Sequence, residues 1–264
     1  MGFLEAIILA IVEGITEFLP VSSTGHMVIV SSLLGIEPTP FTKTFTVAIQ
    51  LGAILAVVVM YKDRFLKSFR FYLLLAIGVV PALLFGFLFN DWIDHVLGRV
   101  DIVAIGLIAG GVVLLFADDW FDTDGKPDAE VTPRNSFLIG LFQCISILLP
   151  GISRSAATMV GGLTCGLSRK DAAEFSFLLA VPTMAAATSY KLLKFFADGN
   201  RFTTEEFPIL VTGNLVAFVV AWLAIRTFIR LLHRYGFRGF GLYRILVGLA
   251  ILSLGYAGIE LKFP

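Results

Sequence analysis

The sequence predicts an all-α polytopic membrane protein, built as an inverted-topology repeat of six transmembrane helices plus two re-entrant helical hairpins that meet near mid-membrane. Three observations carry this. Of 264 residues, 57% are hydrophobic and only 15% charged, and the mean hydropathy is +0.89, far outside the globular range. Six long apolar stretches recur along the chain. Two further apolar regions are each broken near the middle by proline followed by small and hydroxyl residues. The formal net charge is zero and no RNA- or DNA-binding motif occurs, so no nucleic-acid partner is expected. Cys144 and Cys165 both fall in apolar segments and read as small buried hydrophobes, not as a disulfide framework.

In chain order, region 3–34 comes first; its apolar start carries Glu5, Glu13 and Glu17 and no basic flank, so it is not a cleavable signal. Its break at Pro20-Val-Ser-Ser-Thr-Gly-His26 makes it a pair of half-helices. A polar tip is tolerable at that depth only if it is buried in protein or lines a wet cavity. A bilayer span needs about 20 mostly apolar residues, and stretches 44–61, 71–89 and 100–116 meet or approach that. Region 135–167, broken at Pro150-Gly-Ile-Ser, is the second hairpin, and two such tips predict one shared cavity. Stretches 172–195, 208–226 and 240–259 are the last three spans.

Laying Pro20 on Pro150, an offset of 130, pairs Ser23 with Ser153 and Glu13 with Gln143. The same offset sets Thr44-Phe45-Thr46 against Glu174-Phe175-Ser176, and Gly78 falls near Gly213 after small insertions. Residues 1–264 are therefore one integral membrane domain holding repeat 1, about 1–118, and repeat 2, about 134–260. Each half holds a hairpin and three spans, an odd number that turns the second copy upside down. Lys62, Arg64, Lys67 and Arg70 cluster in one loop, and Arg226, Arg230, Arg234 and Arg238 in another. The positive-inside rule puts both on the cytoplasmic side. Both termini, hairpin one and the loops at 91–99 and 197–207 then lie outside, and the acidic loop at 118–130 inside.

Glu13 and Glu17, four residues apart, share a helix face. Two carboxylates in an apolar setting repel unless a proton or cation lies between them. They read either as protonated glutamates bonded to backbone or as a seat for a divalent ion with oxygen ligands, Mg²⁺ or Ca²⁺. Ser22, Ser23 and Thr24 read as caps of the second half-helix, or as partners of an anion at its N-terminus. His26 lies three residues beyond Ser23, which puts a hydroxyl beside a possible proton acceptor. At the second break, Arg154 is flanked by Ser153 and Ser155, with Thr158 a turn later. It would either neutralise a glutamate or grip phosphate oxygens with its planar fork. A metal seat, a hydroxyl and an anion clamp together suit phosphoryl transfer.

These stretches, Glu13-Gly-Ile-Thr-Glu-Phe-Leu-Pro-Val-Ser-Ser-Thr-Gly-His26 and Pro150-Gly-Ile-Ser-Arg-Ser-Ala-Ala-Thr158, resemble the two signature motifs of bacterial undecaprenyl-diphosphate phosphatases, the bacitracin-resistance family. The likeness extends through Lys43-Thr-Phe to Gln50-Leu-Gly and through Glu174-Phe-Ser-Phe-Leu-Leu-Ala-Val-Pro182. It implies an enzyme of the bacterial plasma (inner) membrane, with its active site open to the outer, periplasmic face and a divalent cation required. That enzyme removes the terminal phosphate of undecaprenyl pyrophosphate, regenerating the lipid carrier of peptidoglycan synthesis. Carried over by residue, the resemblance implies metal-binding and catalytic roles for Glu13 and Glu17. The family's nucleophile candidate falls on Ser23, which would either attack the phosphorus itself or serve as a phosphate ligand while metal-bound water attacks; its histidine falls on His26, base or orienter, and its arginine on Arg154, the charge neutraliser. Ser22, Thr24, Ser153, Ser155 and Thr158 would bind phosphate. Gln50, Lys43 and Glu174 are weaker candidates, each equally suited to helix packing. The polyprenyl pyrophosphate substrate needs apolar grooves opening to membrane lipid, and the 25 phenylalanines offer walls for them. The runs Ala109-Gly-Gly111 and Ala185-Ala-Ala187 read as close helix contacts. A lipid-phosphate transporter or flippase using the same two tips is the alternative, while a scaffold leaves the ionisable tips unexplained. The oligomeric state stays open, a homodimer being one option.

Overall fold

The computed structural model describes residues 1–66, 68–97, 99–121, 130–259 and 261. Lys67 and most of the acidic loop at 118–130 lie outside the described residues. Among the described residues there are twelve helices and no strand. The first broken region is α1 (Phe3–Thr16) and α2 (Ser23–Leu33), and the second is α8 (Pro133–Leu148) and α9 (Arg154–Thr164). The six expected spans are α3 (Pro40–Met60), α5 (Phe69–Leu88), α7 (Val100–Trp120), α10 (Arg169–Ala197), α11 (Glu206–Tyr235) and α12 (Arg238–Tyr256). All six are long and apolar enough to cross a membrane.

Observed ends overrun the apolar windows because capping chemistry, not hydropathy, starts these helices. Thr39 accepts from the Thr42 amide and Pro40 stands in the first turn of α3. Thr132 does the same for α8 through the Asn135 amide, and Ser168 for α10 through the Asp171 amide. The basic loop and the loop at 91–99 differ from expectation in carrying short helices, α4 (Lys62–Phe65) and α6 (Asn90–Leu97). Both are too polar to register as apolar runs.

Helices from the first half of the chain pack mainly on helices from the second: α1 and α3 on α11, α3 on α10, α5 on α8, and α7 on α12. Lipid removes most of the hydrophobic drive between helices, so close backbone approach must supply the attraction. Glycine permits it. A Cβ on Gly140 would stand 2.2 Å from the Gly78 carbonyl oxygen, and one on Gly52 would stand 2.1 Å from that of Asn214. The Gly52 amide also donates to Asn214 Oδ1 at 2.8 Å. Gly111 meets α12 in the same way, as its run predicts, against the Gly241 carbonyl.

Polar contacts gather where α3 and α7 end and α10 and α12 begin. Arg64 pairs with Glu174 at 3.5 Å, Arg169 with Asp118 at 2.8 Å and Arg238 with Asp119 at 3.4 Å. Asp118 also accepts from the Phe237 amide at 2.7 Å, tying the α11–α12 turn to α7. Both basic loops therefore share one end of the molecule, as alternating spans require.

Candidate active site

The two helix breaks share an unusual backbone. Ser22 (φ 69°, ψ 98°) and Ser153 (φ 68°, ψ 118°) are the two non-glycine residues with positive φ among those described. Non-glycine residues avoid this region unless their surroundings over-determine it. Each immediately precedes a second half-helix, so Ser23 and Arg154 both take its first position. By backbone, Ser22 thus matches Ser153, one residue away from the pairing that the two prolines suggest. The caps also differ: Ser153 accepts from the Ala156 amide at 3.3 Å, whereas the Ser22 side chain makes no capping bond. Glycine lets α7 reach the second break, since a Cβ on Gly151 would lie 2.1 Å from the Val103 carbonyl oxygen.

Glu17, just past the end of α1, joins the two breaks. Its Oε2 accepts from Ser23 Oγ at 2.6 Å and its Oε1 from Arg154 Nη2 at 3.1 Å. Arg154 Nη1 donates to the Ser176 carbonyl at 3.3 Å, and the guanidinium lies 5.8 Å from the centre of the Phe18 ring. Phe18 is held edge-on to Phe177 with centroids 5.6 Å apart. The Glu17 and Arg154 side chains are only 7% and 12% exposed, and Glu13 is buried beside Glu17. Among the described residues, two buried side-chain polar atoms have no hydrogen-bond partner, Glu13 Oε1 and Arg154 Nε. Such atoms cost about 1–3 kcal/mol each when left unmet. A carboxylate oxygen open to a proton or a cation thus lies near a guanidinium nitrogen open to an acceptor.

That pair of carboxylates fits a divalent cation of the Mg²⁺ or Ca²⁺ type, which takes hard oxygen ligands and commonly completes its shell with substrate phosphate and water. No group of three His, Cys, Asp or Glu side chains able to hold a metal forms among the described residues, and Glu13 and Glu17 are the carboxylates that would hold one.

His26 is nearby but makes no hydrogen bond to Ser23. Its Nδ1 lies 2.8 Å from the Ser22 carbonyl and its Nε2 lies 2.7 Å from the Tyr243 hydroxyl, with the two rings stacked at 5.6 Å. A carbonyl only accepts, so Nδ1 carries the proton and, in the neutral ring, Nε2 accepts from Tyr243. His26 therefore holds the Ser22 turn, and Ser23 Oγ donates to Glu17 and not to His26.

The expected phosphate ligands divide. Ser153 and Thr24 are half-exposed at the breaks, whereas Ser22, Ser155 and Thr158 are buried. Ser155 donates to the Leu19 carbonyl at 2.8 Å, and Thr158 bonds Ser176 Oγ at 2.6 Å and the Arg154 carbonyl at 2.9 Å. These hydroxyls lace the two breaks and α10 together. Of the weaker candidates, Glu174 pairs with Arg64, Lys43 is exposed, and half-buried Gln50 makes no hydrogen bond to the cluster.

Sequence reasoning missed Tyr243 and Arg244. Arg244 is fully buried, and its three nitrogens donate to the carbonyls of Pro20, Gly106, Leu107, Gly151 and Ile152 at 2.9–3.3 Å. The signal was an arginine inside the apolar stretch 240–259, and an ionisable residue within a span is by default functional.

A serine hydroxyl on a carboxylate, a second carboxylate beside it on α1 and a guanidinium with a spare donor lie at the helix breaks of an all-α polytopic membrane protein, a set of groups that suits a phosphate. Comparison with known proteins gives the particular family. The chain belongs to the bacitracin resistance protein BacA family, whose family model matches residues 6–250. It is 52% identical to the undecaprenyl-diphosphatase of Bdellovibrio bacteriovorus over 265 residues, 99% of each chain. It is 51% identical to that of Flavobacterium psychrophilum over 256 residues, 97% of each chain. With that of Aquifex aeolicus it shares 43% over 251 residues, 93% of this chain and 95% of the relative.

Proposed function

We propose that the protein hydrolyses the terminal phosphate of undecaprenyl pyrophosphate, giving undecaprenyl phosphate and inorganic phosphate, and so recycles a lipid carrier and confers bacitracin resistance. The relatives' shared name supports this reading, and the transporter alternative finds no support among them. The observation that carries it is the pair of partnerless buried atoms, Glu13 Oε1 and Arg154 Nε, beside a Ser23 hydroxyl already bonded to Glu17.

In the proposed reaction Ser23 Oγ attacks the terminal phosphorus as Glu17 Oε2 takes its proton. The new Oγ–P bond replaces the bridging P–O bond, and undecaprenyl phosphate leaves with the bridging oxygen. Water then attacks the phosphoserine, the Oγ–P bond breaks, Glu17 returns the proton to Ser23, and the protons of the water leave with the phosphate. Arg154 offers Nε to a phosphate oxygen while Glu17 and Ser176 hold its other two nitrogens. His26 keeps the Ser22 turn, and with it Ser23, in place. A divalent ion, Mg²⁺ or Ca²⁺, would be held by Glu13 and Glu17 and would neutralise diphosphate charge.

The positive-inside rule applied to the shared basic end makes that end cytoplasmic. With the family resemblance, this opens the site to the outer face. An apolar groove of about 970 Å³ between α7 and α12, lined in part by Val100, Ile251, Leu252 and Ile259, is the proposed path for part of the prenyl chain. The deciding experiment is phosphate release from a prenyl pyrophosphate by purified protein in detergent, with Mg²⁺ or Ca²⁺ titrated in. Metal-dependent release that disappears in Arg154→Ala is expected. Folded protein releasing no phosphate under any metal would end the proposal.

A further inference from the structure

We propose that the adjacent pair Tyr243 and Arg244 on α12 is the positioning element of the active site, fixing where the nucleophile turn stands relative to the arginine turn. Mechanistically this rests on the phosphatase reading; geometrically it stands alone. Arg244 is fully buried, and no carboxylate is among its partners. Burying an unpaired guanidinium costs several kcal/mol, so its bonds must secure something other packing does not. Three of them go to carbonyls at the two breaks: Pro20 at 3.2 Å, and Gly151 and Ile152 each at 2.9 Å. Two more fix the guanidinium to α7 through Gly106 and Leu107, both at 3.3 Å. Carbonyls at a helix break have no helical donor, and without water they need another. One planar fork therefore satisfies both turns at once and sets the distance between them. The α7 glycines make the room: a Cβ on Gly110 would lie 2.2 Å from Arg244 Nη2.

Tyr243 acts on the same turn from the other side. Its hydroxyl meets His26 Nε2 at 2.7 Å, and His26 Nδ1 holds the Ser22 carbonyl at 2.8 Å. The nucleophile turn is thus gripped at Pro20 by Arg244 and at Ser22 by Tyr243 through His26, immediately before Ser23. Both residues are positioning residues; none of their bonds involves Ser23, Glu17 or Arg154 side chains.

Tyr243→Phe keeps the ring and removes only the hydroxyl, and Arg244→Lys keeps the charge but cannot span five carbonyls. On full-length protein, kcat is expected to fall about tenfold in Tyr243→Phe and about a hundredfold in Arg244→Lys, with KM within about twofold, as for small misplacements of a reacting group. Tyr243→Phe added to His26→Ala should cost nothing further, because both cut the same link. Amide hydrogen exchange should rise in segments 17–24 and 149–155 of Arg244→Lys, with protection elsewhere unchanged. Wild-type kcat and exchange in both variants would overturn the proposal, as would a kcat loss accompanied by general loss of protection. If the wild-type protein releases no phosphate, the phosphatase reading fails, and the exchange data still decide whether this pair holds the turns.

Discussion

Replacing Glu17 by glutamine keeps the size and shape of the side chain while removing its charge from two short bonds, those to Ser23 Oγ at 2.6 Å and Arg154 Nη2 at 3.1 Å. With its oxygen on Arg154 the amide turns its NH₂ toward Ser23 Oγ, which must then accept instead of donate, so both bonds lose their charge and the serine proton loses its acceptor. A charge-assisted hydrogen bond contributes about 1.5–3 kcal/mol, and at about 1.4 kcal/mol per decade the loss is one to two decades in rate. Loss of the proton acceptor contributes about 10²–10⁴-fold by itself. The two effects overlap at Ser23, so the expected fall in kcat is about 10³-fold. The assay is phosphate release from a prenyl diphosphate in detergent, on protein whose gel-filtration profile and melting midpoint are checked first. Arg154→Ala in the Glu17→Gln background should cost far less than in the wild type, since the two side chains form one unit. A Glu17→Gln enzyme within about threefold of wild type, less than half a decade, would refute the role given to this carboxylate.

Ser23→Ala should abolish turnover, and a rapid acid quench of the wild-type enzyme should trap phosphate on Ser23; robust activity of the variant would show instead that water attacks directly. EDTA should stop phosphate release and added Mg²⁺ or Ca²⁺ should restore it, while Glu13→Ala should raise the metal concentration needed; indifference to EDTA would remove the metal from the proposal. Gly140→Ala sets a methyl 2.2 Å from the Gly78 carbonyl, and overpacking of this kind costs about 1–3 kcal/mol, to be read as a lowered melting midpoint of the detergent-solubilised protein. In a variant without Cys144 and Cys165, Arg230→Cys should resist an impermeant maleimide applied to intact cells, and labelling there would invert the proposed orientation.

The spans were legible because hydropathy over about 20 residues is a strong signal. The breaks were legible because proline and clustered hydroxyls are out of place at such depth. The proximity of the candidate residues followed from them: Glu17 bonds both Ser23 and Arg154, and Glu13 lies beside it. Partnership was harder to read. His26 lies three residues from Ser23, yet its Nε2 bonds a hydroxyl 217 positions away. Ser155 and Thr158 carry the right group at the right spacing but spend it on Leu19, Arg154 and Ser176. Glu174 turns to Arg64 on a short polar helix that apolar windows do not register. Arg244 was hidden by its surroundings, since an arginine in an otherwise apolar stretch averages away, and what it bonds is main-chain oxygen that leaves no mark on the sequence.

The latch made by Arg244 also orders events in time. A ribosome delivers this chain from its amino end, so Glu17, Ser23 and Arg154 have all been synthesised before α12 emerges. Until then the carbonyls of Pro20, Gly151 and Ile152 lack their guanidinium donor, and α7 lacks the helix that covers its glycine face. On the roles proposed above, the nascent protein would carry its reactive groups while they are still unregistered, and activity would wait until α12 is seated.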